Sequence, residues 1–269
     1  LIVFVDPHAQ NDSQGADPTG LSQRSGSSDL PKFFETWGVK FRPEIWAGDI
    51  RYALEVNMGS KGLKRHVGIL GLDQEAMSDD SVITASLTSV NLSTSGYFEA
   101  TEDSVVTMEP LLFTSENSQP ISSLLLDNTT NLVRLLQNFE SIDQRMNLSV
   151  RLSGNVPTAF PEGTPEGISM GDGVEHLTEG NLNVVLVGDS EMLADVFWAQ
   201  KQSFFGQTVV SPFAGNGDFV MNLVENISGN SSLASVRPRD VANRPFTWVQ
   251  ELRVSAEEEF RATEKSLEQ

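Results

Sequence analysis

Residues 181–200 read NLNVVLVGDSEMLADVFWAQ, and this stretch decides the expected fold. Val184–Val187, with Leu182 before it, form a short apolar run of the kind found in strands that are covered on both faces. Gly188-Asp189-Ser190 then provides the residues of a turn, and Glu191–Gln200 carries apolar residues at helical spacing. The pattern therefore predicts a buried strand that leads into a helix.

Similar alternation along the chain predicts the remaining architecture. Further strands are expected at Leu1–Val5, Val39–Phe41, Ser104–Ser115 and Asn147–Leu152. Further helices are expected from Asp29-Leu30-Pro31 to Trp37, and at Asp80–Val90, Asn131–Phe139, Asp218–Ile227 and Thr247–Gln269. Alternating strands and helices favour an α/β domain whose sheet is mostly parallel and flanked by helices. This is the predicted fold class.

The domain organisation follows from composition. Residues 1–246 are expected to form one α/β domain, with possible insertions at 9–29, which is almost free of apolar residues, and at 48–101. Residues 247–269 are expected to form a separate, heavily charged helix with a narrow apolar stripe. A thin stripe of this kind is typical of a helix that projects from the body or pairs with another helix.

Composition excludes several classes of function. The chain has 18 Lys and Arg against 37 Asp and Glu, a formal net charge of −19, so nucleic acid and anionic lipid are not expected partners. It contains no cysteine, which excludes a thiol nucleophile, a disulfide and a cysteine zinc site. No apolar run is long enough to cross a bilayer. Because the chain begins inside an apolar strand pattern, we expect it to be a fragment of a longer protein.

Two aspartates each follow a predicted strand and indicate where a site would lie. Asp6 follows the run at the start of the chain and Asp189 follows Val187, so the two could come together at one sheet edge, where α/β proteins bind ligands, although the sequence does not show whether they meet. We expect a binding site formed by Asp6, Asp189, Ser190 and Asp195, with Asn216 and Asp218 nearby.

A catalytic interpretation of this corner has a structural alternative. Gly188-Asp189-Ser190 is similar to the nucleophile segment of GDS-type esterases, but such a serine needs a base, usually from a downstream histidine, and no histidine follows it. Ser190 is more simply the N-cap of the helix that follows, bonding the amides of Met192 or Leu193. Asp218, after two glycines, is expected to cap the helix that it begins.

Asp6, Asp189 and Asp195 carry the oxygen ligands that hard cations prefer. The alternative is that Asp6 caps a turn before Pro7 and that Asp189 caps a helix. We therefore expect no metal and no cofactor.

Several segments in a fixed order resemble a known family. They are LIVFVDPHA (1–9), LPKFFETWGVKF (30–41) followed by Gly48-Asp49, PLLFTS (110–115), VVLVGDSEMLAD (184–195) with FW (197–198), FAGNGDFVMN (213–222), NISGNSSLASVRPR (226–239) and RPFTWV (244–249). Together they resemble the extracytoplasmic part of the gliding-motility-type (GldG-like) auxiliary components of ABC transport systems. The resemblance spans nearly the whole chain and is strongest from Val184 to Phe246.

The resemblance implies a flavodoxin- or amidotransferase-like domain on the outer side of a bacterial inner membrane. It implies membrane helices before and after this region, and a permease and a separate ATPase as partners. The chain itself has no phosphate-binding G-x-x-x-x-G-K-[ST] motif and is not expected to hydrolyse ATP. No catalytic residues can be transferred from such proteins. The predicted function is a non-enzymatic auxiliary domain that acts by binding protein or ligand. The alternative is an α/β hydrolase that uses Ser190 or an Asp6/Asp189 pair.

Overall fold

The fold is built mainly from β-strands. A computed structural model describes residues 1–9, 26–57, 62–125, 134–165, 167–168, 171, 176–204 and 207–229. The strands are β1 (Ile2–Phe4), β2 (Val39–Lys40), β3 (Ile45–Asp49), β4 (Ala53–Asn57), β5 (Leu63–Asp73), β6 (Ser89–Ser93), β7 (Glu99–Ala100), β8 (Thr107–Phe113), β9 (Ser118–Ser122), β10 (Asn147–Pro157), β11 (Glu179–Val187), β12 (Ala199–Phe204) and β13 (Gln207–Pro212). The helices are α1 (Pro31–Trp37), α2 (Asp195–Trp198) and α3 (Asn216–Ile227). Short 3₁₀ turns lie at Gln74–Ala76 and Ser123–Leu125, and residues 134–137 are helical.

The main sheet has four strands in the order β1-β11-β10-β8. β1 runs parallel to β11, with Ile2 opposite Val185, whereas the β11/β10 and β10/β8 pairs are antiparallel. A three-stranded antiparallel sheet, β4-β5-β6, accompanies it, together with the two-stranded pairs β2-β7, β3-β9 and β12-β13.

The predicted fold class is therefore wrong. The sheets are mixed or antiparallel, and within the described ranges β1/β11 is the one parallel pair, so the fold is not a mostly parallel sheet flanked by helices. The cause is that a short apolar run shows that a strand is buried on both faces but does not show the direction of its neighbours. The flavodoxin- or amidotransferase-like expectation fails for the same reason.

β11 itself is covered on both faces, as its sequence predicts. Val185 and Val187 belong to a large core that includes Leu70 and Phe219, from β5 and α3. Val184 and Leu186 point the other way and belong to an aromatic core around α1. That second core contains Phe34, Trp37, Phe41 and Phe98, with the rings of Phe41 and Phe98 stacked at 5.3 Å between centroids. Side chains that alternate between two cores fix the register of β11, since a slip by one residue would exchange the faces.

Local sequence signals place α1 correctly. The helix runs over Pro31–Trp37, with proline in its first turn, and Asp29 Oδ1 accepts the Leu30 N–H at 2.7 Å. It ends at Gly38, whose φ of 69° is the left-handed conformation that glycine adopts without strain. The predicted proline in the first turn and the predicted end at Gly38 are confirmed, whereas the predicted N-cap, Asp29, is wrong: Leu30 occupies the N-cap position and no side chain caps the helix.

Two other predicted helices are wrong. Asp80–Val90 forms turns over 82–86 and then enters β6, where Val90 pairs with Leu72 of β5. Glu191–Gln200 contains only the four-residue α2, because Ala199 begins β12, which pairs with β13 as an antiparallel hairpin. In both segments pairing with another strand overrides the local helical spacing.

The last described helix, α3, begins at Asn216, two positions before its predicted first residue. Its N-cap is Gly215, so Asp218 lies inside the first turn and is not the cap that was predicted. The predicted helix at 247–269 and most of the segment 9–29 lie outside the described residues. Within the described ranges, no helix has the length and apolar content needed to span a membrane.

Candidate functional site

The carboxyl ends of β1 and β11 lie side by side. Their parallel pairing continues past the strands, where the Val5 N–H donates to the Val187 carbonyl at 3.0 Å. An aspartate lies two positions after the end of each strand, Asp6 after β1 and Asp189 after β11, and both residues are buried, at 1% and 0% exposure. The parallel arrangement of these two strands therefore places two carboxylates in the interior at one sheet edge.

Asp6 joins the two strand ends through hydrogen bonds. Its Oδ2 accepts both the main-chain N–H of Ser190, at 3.0 Å, and the Ser190 hydroxyl, at 2.9 Å. Its Oδ1 accepts the His8 N–H at 2.7 Å, which closes a turn around Pro7. The carboxylate thus holds its own loop with one oxygen and the loop after β11 with the other.

Asp189 makes the equivalent connection to a third segment. Its Oδ1 accepts the Glu191 N–H at 2.8 Å, within its own turn. Its Oδ2 accepts the N–H of Ser93, the last residue of β6, at 2.7 Å. Together the two aspartates hold the ends of β1, β6 and β11, and we call Asp6, Asp189 and Ser190 the carboxylate clasp.

Glycine at position 188 allows two main chains to approach closely beside the clasp. The Gly96 N–H donates to the Gly188 carbonyl at 2.8 Å. A Cβ atom on Gly188 would lie 2.3 Å from the Gly96 carbonyl oxygen, far inside contact distance. The glycine that the sequence places in a turn is therefore required by packing against the loop after β6.

Burial raises the pKa of both carboxyl groups. The pKa of Asp6 rises from 3.8 to about 6 because burial outweighs the hydrogen bonds from His8 and Ser190, which lower it. The pKa of Asp189 rises to about 8, first through burial and then through the nearby charge of Asp6. Both carboxyl groups therefore hold a proton more tightly than an exposed aspartate does.

Asn216 lies next to the clasp and holds β6 against the start of α3. Its Oδ1 accepts the Asn91 N–H at 2.9 Å, and its Nδ2 donates to the carbonyls of Asn91 and Met192, both at 2.7 Å. The Asn91 side chain in turn donates to the Phe197 carbonyl at 2.7 Å. The Asn216 amide is therefore engaged in tying three segments together.

The other two predicted site residues lie at the surface. Asp195 stands at the first position of α2 and forms an ion pair with Lys201, with 47% of the Asp195 side chain exposed. Asp218 is exposed in the first turn of α3. The structure thus brings Asp6, Asp189 and Ser190 together, adds Asn216 beside them, and leaves Asp195 and Asp218 outside the buried cluster.

Ser190 does not cap a helix, contrary to the prediction. α2 begins only at Asp195, with Ala194 in the N-cap position, so the amides next to Ser190 do not belong to a helical first turn. The serine hydroxyl donates to Asp6 instead. Asp189 likewise bonds the ends of β6 and its own turn and caps no helix, whereas the predicted turn at Asp6-Pro7 is present.

Sequence reasoning missed a third buried aspartate of the same design. Asp49 ends β3 with 0% exposure; its Oδ1 accepts the N–H groups of Arg51 and Tyr52, and its Oδ2 accepts the Ser115 N–H at 2.6 Å. Burial raises the pKa of Asp49 as well, against these hydrogen bonds. Its sequence signal is the one that revealed Asp6 and Asp189, an aspartate directly after an apolar strand segment.

The chemistry open to the clasp is limited by these bonds. The two amides that an oxyanion near Ser190 would use, those of Ser190 and Glu191, already donate to carboxylates. His66 is held in the β4-β5-β6 sheet, where its Nδ1 accepts the Gly68 N–H at 3.1 Å and burial lowers its pKa to about 4. Across the described ranges, no three His, Asp or Glu side chains are arranged to hold a metal ion.

Comparison with known proteins identifies a family. The family model described as "ABC-type uncharacterized transport system", an auxiliary (ABC_transp_aux) family, matches residues 1–223, which include β1, β6, β11 and every residue of the clasp. No curated protein and no solved structure matches the chain significantly.

Proposed function

The chain belongs to the auxiliary family of ABC-type uncharacterized transport systems and is an auxiliary component of such a system; from this premise we propose that it acts by binding, without catalysis, on the extracytoplasmic side of a bacterial inner membrane. The single observation that carries the role in transport is the family match over residues 1–223. The partners are the permease and the ATPase of the same system, and the longer parent chain is anchored in the membrane.

The hydrogen bonding at the clasp supports a binding role. The carboxylates of Asp6 and Asp189 and the amide of Asn216 are bonded to main-chain groups of separate segments, and all three side chains are buried. Polar groups that are fully engaged within the protein stabilise its fold. Such groups are poorly suited to exchange protons with a substrate. The sheet edge therefore serves as a scaffold, and binding takes place at other surfaces of the protein.

The gliding-motility-like assignment is the finer part of the proposal. It rests on the ordered segments quoted above, which run through the family match and continue beyond it to residue 249. Location outside the membrane and anchoring of the parent chain are proposed on the same resemblance.

Co-purification tests the partnership. The full-length parent protein, carrying an affinity tag, is extracted in mild detergent from its native membranes, and the co-purifying proteins are quantified by mass spectrometry. We expect the permease and the ATPase encoded with it to be enriched over a sample tagged on an unrelated membrane protein of matched abundance. Equal recovery in both samples would contradict the proposal.

The absence of cysteine from the chain allows a direct test of location. Val105 is 51% exposed, so a Val105→Cys substitution provides a reactive thiol at the surface. We expect a membrane-impermeant maleimide to label this variant in cells whose inner membrane is intact. A Leu152→Cys variant, whose side chain is fully buried, is the matched control. Labelling of Val105→Cys only after the inner membrane is lysed would place the domain on the cytoplasmic side.

One observation favours the hydrolase alternative enough to test it. The exposed Ser190 donates its hydroxyl to Asp6 at 2.9 Å, which is the contact that a serine makes with a general base. We expect Ser190→Ala to leave the activity of the protein unchanged in ester and amide hydrolysis assays, at the level of the buffer control. Turnover by the wild type that is lost in Ser190→Ala would instead establish the hydrolase.

A further inference from the structure

A group of large apolar side chains lies exposed on α2, α3 and the segment before α3. The exposed fractions are 43% for Leu193, 75% for Val196, 50% for Phe213, 50% for Met221 and 48% for Val224. We call these five residues the α3 apolar face. Soluble proteins rarely leave apolar groups of this size clustered at the surface unless another molecule covers them.

Trp198 connects the turn at Leu193, the first turn of α3 and the segment before α3. Its Nε1 donates to the Leu193 carbonyl at 3.0 Å, so the indole folds back over the turn before α2. A Cβ atom on Gly217 would lie 3.0 Å from the indole ring, which shows that Trp198 packs against the first turn of α3. Met221 and Val224 follow Gly217 by four and seven positions, on the same side of the helix.

The adjoining segment completes this surface. The Phe213 N–H donates to the Trp198 carbonyl at 2.8 Å, so the residue before α3 also lies next to the tryptophan. The opposite side of α3 packs in the main core through Phe219 and Leu223, which are fully buried. The apolar face is therefore carried by a helix that is fixed to the body of the protein and needs no rearrangement to bind.

The charge around this face selects the kind of partner. α3 contains Asp218 and Glu225 and has no lysine or arginine in its twelve residues, NGDFVMNLVENI. Beside α2, the charge of Lys201 is offset by its ion pair with Asp195. The whole chain carries a formal net charge of −19. A second copy of the chain and an anionic lipid surface are both repelled by such a field, whereas a basic protein segment is attracted.

We propose that the α3 apolar face is the docking surface for the membrane-embedded component of the transport system, through an extracytoplasmic segment that presents apolar side chains bordered by Lys or Arg. This inference rests on the proposed function, which supplies the membrane component as partner. Apolar contact around Trp198 provides the affinity, and the acidic border provides orientation and selectivity.

Site-specific photo-crosslinking in the full-length chain tests the surface in its native membrane. A photoreactive phenylalanine analogue replaces Met221 in one strain and Val105, which is equally exposed but lies before β8, in the control strain. We expect crosslinks from position 221 to the permease, identified by mass spectrometry of the crosslinked peptides, and none from position 105. Crosslinks from position 221 to residues 230–269 of the same chain, to a second copy or to lipid would each overturn the inference.

Substitution of the face separates this inference from the proposed function. The double variant Met221→Glu, Val224→Glu places two charges on the face, and Val105→Glu is the matched control. We expect the double variant to recover on the order of tenfold less permease in the co-purification, with Val105→Glu unchanged. Undiminished recovery with the double variant would overturn the docking surface and leave the proposed function standing.

The remaining outcomes are also decisive. Absence of the permease from the wild-type sample would refute the proposed function itself. We expect the melting temperatures of the variants to match that of the wild type, because both substituted side chains are half exposed, and such a match would exclude unfolding as the cause. A third variant, Met221→Lys with Val224→Lys, should weaken recovery more than the glutamate pair does, since the proposed partner is basic. Equal or stronger recovery with lysine would show that the border does not select a basic segment.

Discussion

Replacement of Asp6 by asparagine is the most direct probe of the buried clasp. Asparagine keeps the size of the side chain but cannot ionise. The asparagine carbonyl can still accept one of the N–H groups that Asp6 bonds, but the asparagine NH₂ group faces the other donor. This unfavourable contact lowers the free energy of unfolding by about 1–3 kcal/mol at every pH. The informative quantity is therefore the change with pH in the difference between the two proteins.

The expected change follows from the pKa of Asp6, which burial raises from 3.8 to about 6. The folded protein binds this proton more tightly than the unfolded chain does, so the contribution of Asp6 to stability is greatest below pH 3.8 and is lost as pH rises through about 6. A rise of this size corresponds to about 3 kcal/mol. That is a substantial part of the 5–15 kcal/mol typical of a domain.

We expect the free energy of unfolding of the wild type to fall relative to that of Asp6→Asn by about 3 kcal/mol between about pH 3 and about pH 7. In Asp6→Asn, Asp189 no longer has the neighbouring charge that helps to raise its pKa, so the pKa of Asp189 is lower in the folded variant than in the folded wild type. Asp189 therefore changes the difference in the same direction. The measurement is urea denaturation at a series of pH values, with Asp103→Asn, at an exposed turn, as the control. Subtracting the free energy of unfolding of Asp6→Asn from that of the wild type removes the contributions of the carboxylates that the two proteins share.

Two results would refute this reasoning. A difference that does not change with pH would mean that Asp6 keeps the same pKa in the folded and unfolded chain. A difference that changes with the opposite sign would mean that the hydrogen bonds from His8 and Ser190 outweigh burial and favour the ionised form in the folded protein.

Two further substitutions test the supports of the clasp. Asn216→Ala should lower the free energy of unfolding by about 3 kcal/mol, because it leaves buried main-chain groups on β6 and after β11 without partners, whereas Asn155→Ala at an exposed strand position should change it by about 0.5 kcal/mol or less in the same urea titration. Gly188→Ala should cost about 2–3 kcal/mol, since the new methyl group would meet the Gly96 carbonyl oxygen. Gly180→Ala, with open space around its Cβ position, is the control for calorimetric melting. Equal melting of the two alanine variants would show that Gly188 is not packed as described.

The elements that sequence predicted well are those specified by neighbouring residues. The start of α1 is marked by Asp29 and Pro31 and its end by Gly38, and these signals act within one turn of helix. The sequence predicts a helix over 191–200 because Met192, Val196 and Ala199 have helical spacing. The prediction fails because the hydrogen-bond partners of Ala199–Phe204 lie on the opposite strand of a hairpin. A local pattern contains no information on that pairing.

In the candidate site, too, some features follow from the local sequence and others do not. The sequence places Asp6 and Asp189 each just past a predicted strand but does not show that they meet; the parallel pairing of β1 with β11 brings them together. The partners at Ser93 and Asn91 could not be inferred, since both contribute main-chain N–H or carbonyl groups, which every residue possesses. Identification of such contacts requires the packing of β6 against the main sheet, which the apolar pattern does not specify.

The pairing of β1 with β11 has a consequence for the order in which this protein can fold. The clasp joins Asp6 to Ser190, 184 positions apart, so β1 has no parallel partner until nearly all of the described chain has left the ribosome. At translation rates of about 5–20 residues per second, that interval is about 10–40 s. For this time the apolar strand Ile2–Phe4 is available to chaperones and to aggregation. Contacts of such long range also slow folding after release, so completion of the main sheet depends on a strand that was made early and joins late.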